Sequence, residues 1–302
     1  MDGSDACKVV LPSRATFGYA VPMRVAFVTY PRLEGLAPDD QAILPFLNPV
    51  PAIWSDPGIE WDRFDAVILR STWDYYLHHE AFKSWLMHLQ DRNIQVLNSV
   101  HLVQWNSNKV YLKELQQKGI PIIPTQFVEA TERLKLPELV TASGGPLVIK
   151  PSVSAAAHHT YRVQGTLQAE TLQALLDLPE DVTLLVQPFM PEIQNPGEYS
   201  LVFFNGHFSH AFLKTPGEGD FRVQGMHGGQ TCGIEVEQEL VLQAQKVLSA
   251  LPEVPLYARV DGVVREGTLL LMELELIEPN LFLNSHPEAA RNFAQAIRER
   301  LP

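Results

Sequence analysis

Short apolar runs rich in β-branched residues alternate along this chain with amphipathic stretches of helical spacing. RVAFVTY from Arg24, AVILRS from Ala66 and IQVLNS from Ile94 each suit a buried strand. Pro- and Asp-rich text between the first two suits loops and short strands. HHEAFKSWLMHLQDRN places Phe82, Trp85, Leu86 and Leu89 on one helical stripe. This alternation predicts an open α/β unit ending near Val103. A second unit begins with a helix over NKVYLKELQQK, with Ser107 as its expected N-cap and Gly119 as its stop. IPIIPTQFVE, PLVIKP and LLVQPF read as strands, and a helix is expected from Thr166 to Asp177.

From Glu198 the pattern changes to hairpins. EYSLVFF and HFSHAFLK flank Asn205-Gly206, which suits the two positive-φ positions of a type I′ turn. A glycine-rich loop follows, then a helix from Glu235 to about Leu251, a second hairpin YARVDGVV–REG–LLLMELEL, and a closing helix near Pro287 to Arg300.

The second hairpin carries the strongest chemical signal. Strand side chains alternate, so Glu273 and Glu275 share a face and Met272, Leu274 and Leu276 are expected toward the core. Neighbouring carboxylates repel unless a cation lies between them, and hard oxygen donors of this kind suit Mg²⁺. A three-residue loop, Arg265-Glu266-Gly267, brings Asp261 to the same face. A two-residue turn at Glu266-Gly267 sends Asp261 to the other side.

Several cations accompany these acids. Lys150 ends an apolar strand and precedes a loop of small and polar residues, a placement that can hold phosphate oxygens. The chain contains no Gly-x4-Gly-Lys-Ser/Thr motif, so this is not a P-loop. Gln187, Phe189 and Met190 form a strand-to-loop connection whose backbone can face an adenine ring, and Glu198 can accept from ribose hydroxyls. Lys214, Arg222 and Gly228-Gly229 lie in the later loop, where backbone N–H groups can approach an anion.

Composition narrows the partners. A formal net charge of −12 argues against general nucleic-acid binding. No apolar run is long enough to span a bilayer, and the first residues lack a secretory core, so no membrane role is expected. Cys7 and Cys232 make neither a disulfide framework nor a zinc signature, which predicts a reducing, cytoplasmic location. Residues 1–22 read as an extension, with an extra docked strand as the alternative.

From Met23 through Pro287 the combination resembles the ATP-grasp superfamily, in particular the glutathione synthetase-like and cycloserine-forming ligase branch. Lys150-Pro151, Lys109, the hinge Gln187-Pro188-Phe189-Met190, Gly197-Glu198, and Lys214–Arg222–Gln224–Gly228-Gly229 follow that family's order. Its Asp and Glu-x-Asn metal ligands correspond to Asp261 and Glu273-x-Glu275. Lys stands for the family's first loop Arg, Gln for its later Asn, and Ser154 to His159 for the usual Gly-rich phosphate loop.

The resemblance implies an ATP-grasp fold with an N-terminal open α/β domain over 23–104, a central lid over 105–188 and a C-terminal antiparallel-sheet domain over 189–302. It implies ATP and Mg²⁺ as cofactors, with Lys109, Lys150, Gln187, Phe189, Met190 and Glu198 on the nucleotide and Asp261, Glu273 and Glu275 on the metal. Lys214 and Arg222 are implied as the catalytic cations. Arg70, Ser71, Trp73, Asp74 and Tyr75, with Gly228 and Gly229, are implied around a small carboxylate or amino-acid-like substrate. Trp73 and Tyr75 also suit plain packing, and His158, His159 and His227 are either proton carriers or polar loop residues. The implied activity is ligation of the carboxylate to an amine through an acyl phosphate, in a homo-oligomer. A phosphotransferase and a non-catalytic nucleotide-binding protein are the alternatives.

Overall fold

The computed structural model describes residues 23–301, so the expectations for residues 1–22 and for Cys7 lie outside the described residues. The first strands are β1 (Val25–Thr29), β2 (Val50–Ile53), β3 (Ala66–Leu69) and β4 (Val96–Leu97). They form a parallel sheet in the order β2-β1-β3-β4. Helix α1 (His79–Asp91) crosses from β3 to β4 and buries the expected stripe Phe82, Trp85, Leu86 and Leu89. Continuous burial of β1 and β3 explains their unbroken apolar text, since both faces of a parallel sheet are covered.

Two helices follow where one was expected. Helix α2 (Val100–Asn106) is N-capped by Ser99, whose Oγ accepts from the Leu102 N–H at 3.2 Å. Ser107 therefore closes α2 instead of opening α3 (Tyr111–Gln117). The hydroxyl of Ser107 donates back to the carbonyl of Gln104, a bond that Ser makes readily at a helix end. Gly119 takes φ +83° after α3, as its role as a stop requires.

The middle of the chain gives β5 (Gln126–Val128), α4 (Leu136–Ala142), β6 (Leu147–Pro151), β7 (Tyr161–Val163), α5 (Ala169–Leu176) and β8 (Leu184–Pro188). Its antiparallel sheet has the order β5-β8-β6-β7. Helix α4 and strand β7 have no counterpart in the sequence reading. Their core includes Val128, Leu136, Val140, Ile149, Leu175 and Leu184.

The third sheet is antiparallel, in the order β11-β10-β9-β12-β13. Its strands are β9 (Glu198–Phe204), β10 (His207–Thr215), β11 (Gln230–Ile234), β12 (Tyr257–Arg265) and β13 (Thr268–Glu275). Asn205 and Gly206 both have positive φ, 49° and 77°, as the type I′ reading requires. Leu201, Phe203, Ala258 and Val260 pack with Val241, Ala244 and Val247 of α6 (Gln238–Ser249). Val202, Phe204, Phe212 and Tyr257 share a second core with Phe27 of β1 and Phe293 of α7 (Ala289–Glu299). The Tyr257 hydroxyl bonds the carbonyls of Leu69 at 2.6 Å and Ile277 at 2.8 Å, tying the third sheet to the first.

The outer edge of β13 is stapled along its length. Leu271 exchanges backbone bonds with Pro121 and Ile123, at 3.0 and 3.2 Å. Tyr111 Oη accepts from the Leu274 N–H at 2.8 Å and also bonds its carbonyl at 3.0 Å. Asn106 bonds the Leu274 carbonyl and the Leu276 N–H, at 2.8 and 3.0 Å. An edge strand covered this way offers few open backbone groups and holds its side chains in fixed register. Replacing Asn106 by Leu leaves the buried Leu276 N–H unpaired, while the Leu274 carbonyl keeps the Tyr111 hydroxyl. The substitution should cost about 1–3 kcal/mol for the group left unsatisfied, read as a lower urea midpoint; an unchanged midpoint would contradict the staple.

Candidate active site

The carboxylate face depends on a bulge that the sequence did not reveal. Arg265 pairs with Thr268, so the connection is the two-residue turn Glu266-Gly267, with φ 51° and 77°. That turn alone would set Asp261 opposite Met272 and away from the glutamates. The register slips by one residue between Asp261 and Gly262, which pairs Asp261 with Glu273 and Arg259 with Glu275. Met272 is the extra residue of this β-bulge. It lies partly buried beside Ile123, Met190 and Val263, not in the main core expected for it. The predicted three-residue loop is wrong, yet Asp261, Glu273 and Glu275 do share a face.

Neighbouring strands extend this face. Ser200 pairs with Asp261 and Lys214 with Glu198. Glu198, Ser200, Lys214, Arg259, Asp261, Glu273 and Glu275 therefore form a polar half-face, beside the apolar half built on Val202, Phe204, Phe212 and Tyr257. Asp261 accepts from Ser200 Oγ at 2.6 Å, from Arg259 at 2.8–3.0 Å and from Lys214 Nζ at 3.3 Å. Lys214 also reaches Glu198 at 2.8 Å, Lys109 reaches Glu273 at 2.9 Å, and Arg259 binds Glu275.

These pairings set the proton affinities. Burial would raise Asp261, but Arg259 and Lys214 outweigh it and hold the carboxyl well below its usual range. Burial also opposes ionisation of Glu273, which Lys109 and Lys150 nevertheless hold low. Glu275 is raised to about 7, because burial and the charges of Asp261 and Glu273 prevail over Arg259. Burial lowers Lys150, with Glu273 partly opposing it.

A cavity of about 960 Å³ opens over this half-face, roofed by the central sheet and its loop and walled by the C-terminal ends of β1 and β3. It brings together Trp73, Asp74, Tyr75, Lys109, Lys150, Gln187, Phe189, Met190, Glu198, Lys214, Arg222, Asp261, Glu273 and Glu275. Phe189 stacks under the Arg162 guanidinium at 4.1 Å, and Met190 with Ile123, Val223 and Met272 makes an apolar slot. Gln187 donates to Thr125 Oγ1 at 2.9 Å. Glu198 faces the cavity already engaged by Lys214, not as a free acceptor. Lys109 also holds the roof loop, donating from Nζ to the Ser154 carbonyl at 2.5 Å and from its backbone N–H to Ser152 at 2.7 Å. In that loop Ala156, Ala157 and His159 adopt positive φ, the conformation glycine takes without a Cβ penalty. His158 lies against Tyr76 with ring centroids 5.2 Å apart, and His159 Nδ1 bonds the Tyr161 hydroxyl at 2.9 Å.

Four expected site residues lie elsewhere. Arg70 and Ser71 are buried and line a smaller neighbouring cavity of about 220 Å³. Arg70 pairs with Asp40 at 2.9 Å, donates to the Pro279 carbonyl at 3.0 Å and packs over Tyr257 and Phe293. It is a strut between the first and third sheets. Gly228 and Gly229 close the base of the loop that carries Arg222 and do not line the cavity. A Cβ on Gly229 would fall 2.0 Å from the Val223 carbonyl oxygen, so close backbone approach explains the glycine. Arg222 itself lines the cavity but is held by Asp220 at 2.8 Å.

Tyr30, Arg259 and Glu278 are among the cavity residues that escaped the sequence reading. Arg259 had a signal, since it stands two residues before Asp261 on one strand and must share its face. Glu278 lies beyond the end of β13, where alternation no longer tells which way a side chain points.

The fold is that of the ATP-grasp enzymes, and the cavity lies where the central and C-terminal sheets face each other. Residues 25–98 match the family described as D-cycloserine synthetase DcsG, N-terminal domain. The cycloserine biosynthesis protein DcsG of Streptomyces lavendulae is 28% identical over 261 residues, 82% of this chain and 87% of that protein. The crystal structure of D-cycloserine synthetase DcsG superposes with a TM-score of 0.80 at 26% identity, over 92% of this chain and 99% of that one. The D-alanine–D-alanine ligase from Bacillus anthracis shares the fold, with a TM-score of 0.65 at 16% identity over 92% and 98% of the two chains. Over most of its length the chain is thus similar to D-cycloserine synthetase, and it shares the fold of the ATP-grasp ligases. No helix of the described residues is long and apolar enough to cross a membrane.

Two outcomes are expected from this geometry. Arg70→Met strands Asp40 in the interior and should cost about 3–5 kcal/mol in urea unfolding; a loss below 1 kcal/mol would contradict the strut. Burial, with Glu275 beside it, raises Glu278 from an ordinary 4.5 to about 8. The folded state then holds its proton more tightly than the unfolded state, so this contribution is lost as pH rises from about 4.5 to about 8. Glu278→Gln should flatten that decline in the thermal midpoint, and an unaltered slope would place Glu278 in a more solvated setting.

Proposed function

We propose that this protein is an ATP-dependent carboxylate–amine ligase acting on a small amino-acid-like acid. The observation that carries the reading is the polar half-face: Asp261, Glu273 and Glu275 interleaved with Lys109, Lys214 and Arg259 beneath a roof bearing Lys150. Acids and bases arranged in alternation suit a polyphosphate with its counter-cation, because both signs of charge must be met within a few ångströms.

The adenine ring is assigned to the slot of Met190, Met272 and Ile123, with the Gln187–Phe189 backbone along its edge. Lys109 and Lys150 meet the phosphates. A substrate carboxylate oxygen attacks the γ-phosphorus, the bond to the β–γ bridging oxygen breaks, and ADP leaves with that electron pair. The amine then attacks the acyl carbon, inorganic phosphate departs, and the amine loses a proton. Arg222 supplies positive charge to the transferred phosphoryl group, which requires it to release Asp220.

The donor set suits Mg²⁺ of the open kind, which takes one or two carboxylates and completes its shell with phosphate and water. Glu273 and Glu275 each keep one oxygen outside an ion pair, while both oxygens of Asp261 are engaged. No closed cage of three or more acidic, His or Cys ligands occurs among the described residues. Bound there, Mg²⁺ would neutralise charge on the phosphates; Glu273 and Glu275 would hold it, and Asp261 would orient Arg259.

With Mg-ATP, a panel of small carboxylic acids and hydroxylamine, the ligase reading expects substrate-dependent ADP release together with a hydroxamate. Glu273→Gln should reduce that rate at least about 100-fold with the thermal midpoint held. Near-normal turnover at saturating Mg²⁺ would remove Glu273 from the mechanism, and ADP release without hydroxamate would favour a phosphotransferase.

A further inference from the structure

The connection from β8 to β9, residues 189–197, carries the chain from the central sheet to the third sheet beside the cavity. Its two ends are fastened to different sheets. On the central side the Phe189 N–H donates to the Pro146 carbonyl at 2.9 Å, and the Arg162 guanidinium covers the Phe189 ring at 4.1 Å. One residue later the attachments change. Met190 is buried and packs with Ile123, Ile193, Val223 and Val263, the last of these a residue of β12. Residues 191–193 then form a single helical turn, which the Gly197 N–H closes by donating to the Glu192 carbonyl at 2.9 Å.

Arg265, the last residue of β12, meets that turn. It stands two residues after Val263 and so shares its face of the strand. Its guanidinium grips Glu192 with two nitrogens, Nε on Oε1 at 2.5 Å and Nη2 on Oε2 at 2.9 Å. The same Nη2 lies 3.8 Å from Met190 Sδ. A single-point ion pair at a surface contributes little, but a forked pair fixes direction as well as distance. Hydrogen bonds from Arg265 hold the Glu192 carboxyl below its ordinary value, which keeps the pair charged at neutral pH. Among the described residues no other ion pair holds the 189–197 segment. The Arg265 side chain is 42% exposed, so substitution there empties no core.

We propose that Arg265 and Glu192 are positioning residues for the nucleobase: their clasp holds Met190 on the third sheet, so that the apolar slot keeps its shape while Phe189 stays with the central sheet. The inference rests on the assignment of the adenine ring to the slot of Met190, Met272 and Ile123. Neither member of the clasp lines the cavity, so it acts through Met190 and touches no ligand. A flat ring in an apolar slot is held by many short contacts, each of which weakens steeply with small displacement. The phosphates meet Lys109 and Lys150, which the clasp does not touch. Loss of the clasp therefore weakens the grip on the base and spares the grip on phosphate.

Calorimetric titration in the presence of Mg²⁺, with ADP and pyrophosphate as probes, separates the two grips. Glu192→Gln and Arg265→Gln should each weaken ADP binding about fivefold and leave pyrophosphate within about twofold of wild type. The exchanged pair, Glu192→Arg with Arg265→Glu, should recover most of the affinity for ADP. Unchanged ADP affinity in both single variants overturns the clasp and leaves the nucleotide site standing. Equal weakening of both probes also overturns it, because that reports a general loosening of the fold. A wild-type protein that binds ADP no more tightly than pyrophosphate overturns the clasp and the adenine assignment together.

Discussion

Buried charge must be neutralised, and in this protein one network on one sheet face does most of that neutralising. Asp261 receives Arg259, Lys214 and Ser200, and through Arg259 and Lys214 it is linked to Glu275 and Glu198. Removing any one member leaves a buried charge exposed to its like-charged neighbours, which is costlier than the pair's net contribution to stability. The network therefore contributes more to arrangement than to stability. It holds carboxylates and cations at alternating positions, ready for a ligand that carries both signs itself.

The surrounding fold keeps that face in register. Edge strand β13 carries Glu273 and Glu275, and Asn106, Tyr111 and the 121–123 segment satisfy its outer backbone. The same helices lead to Lys109, which joins Glu273 to the roof loop. Phosphate-side charge, roof and carboxylate strand are thus mechanically connected, so displacement of the loop alters the environment of Glu273. On the opposite wall Arg70 and Tyr257 fasten the first sheet to the segment bearing Glu278. One cavity then lies between the ion-paired half-face and the wall that bears Glu278.

Much of this was readable in the sequence where a local rule decides the answer. Unbroken apolar runs gave the parallel strands, Asn205-Gly206 gave the hairpin, and period-two acids gave a carboxylate face. Outcomes set by distant residues were not readable. The bulge at Met272 compensates a turn of the wrong parity, and nothing local announces it. The family resemblance implies a substrate role for Arg70, but Asp40, far away in the chain, claims its guanidinium. Gly228 and Gly229 were read as an anion cradle, whereas the close approach they permit is to their own loop. Glu278 lies beyond the end of β13, where alternation no longer tells which way a side chain points.

The central claim is that this half-face drives transfer of a phosphoryl group to a substrate carboxylate. Its most direct measurement is the fate of oxygen-18 placed in the carboxylate of an acid that the protein turns over. Activation through an acyl phosphate moves one labelled oxygen into the inorganic phosphate released with each amide formed, visible as an isotope-shifted phosphorus resonance. Unlabelled phosphate, with all the label retained in the product or lost to water, would contradict the account.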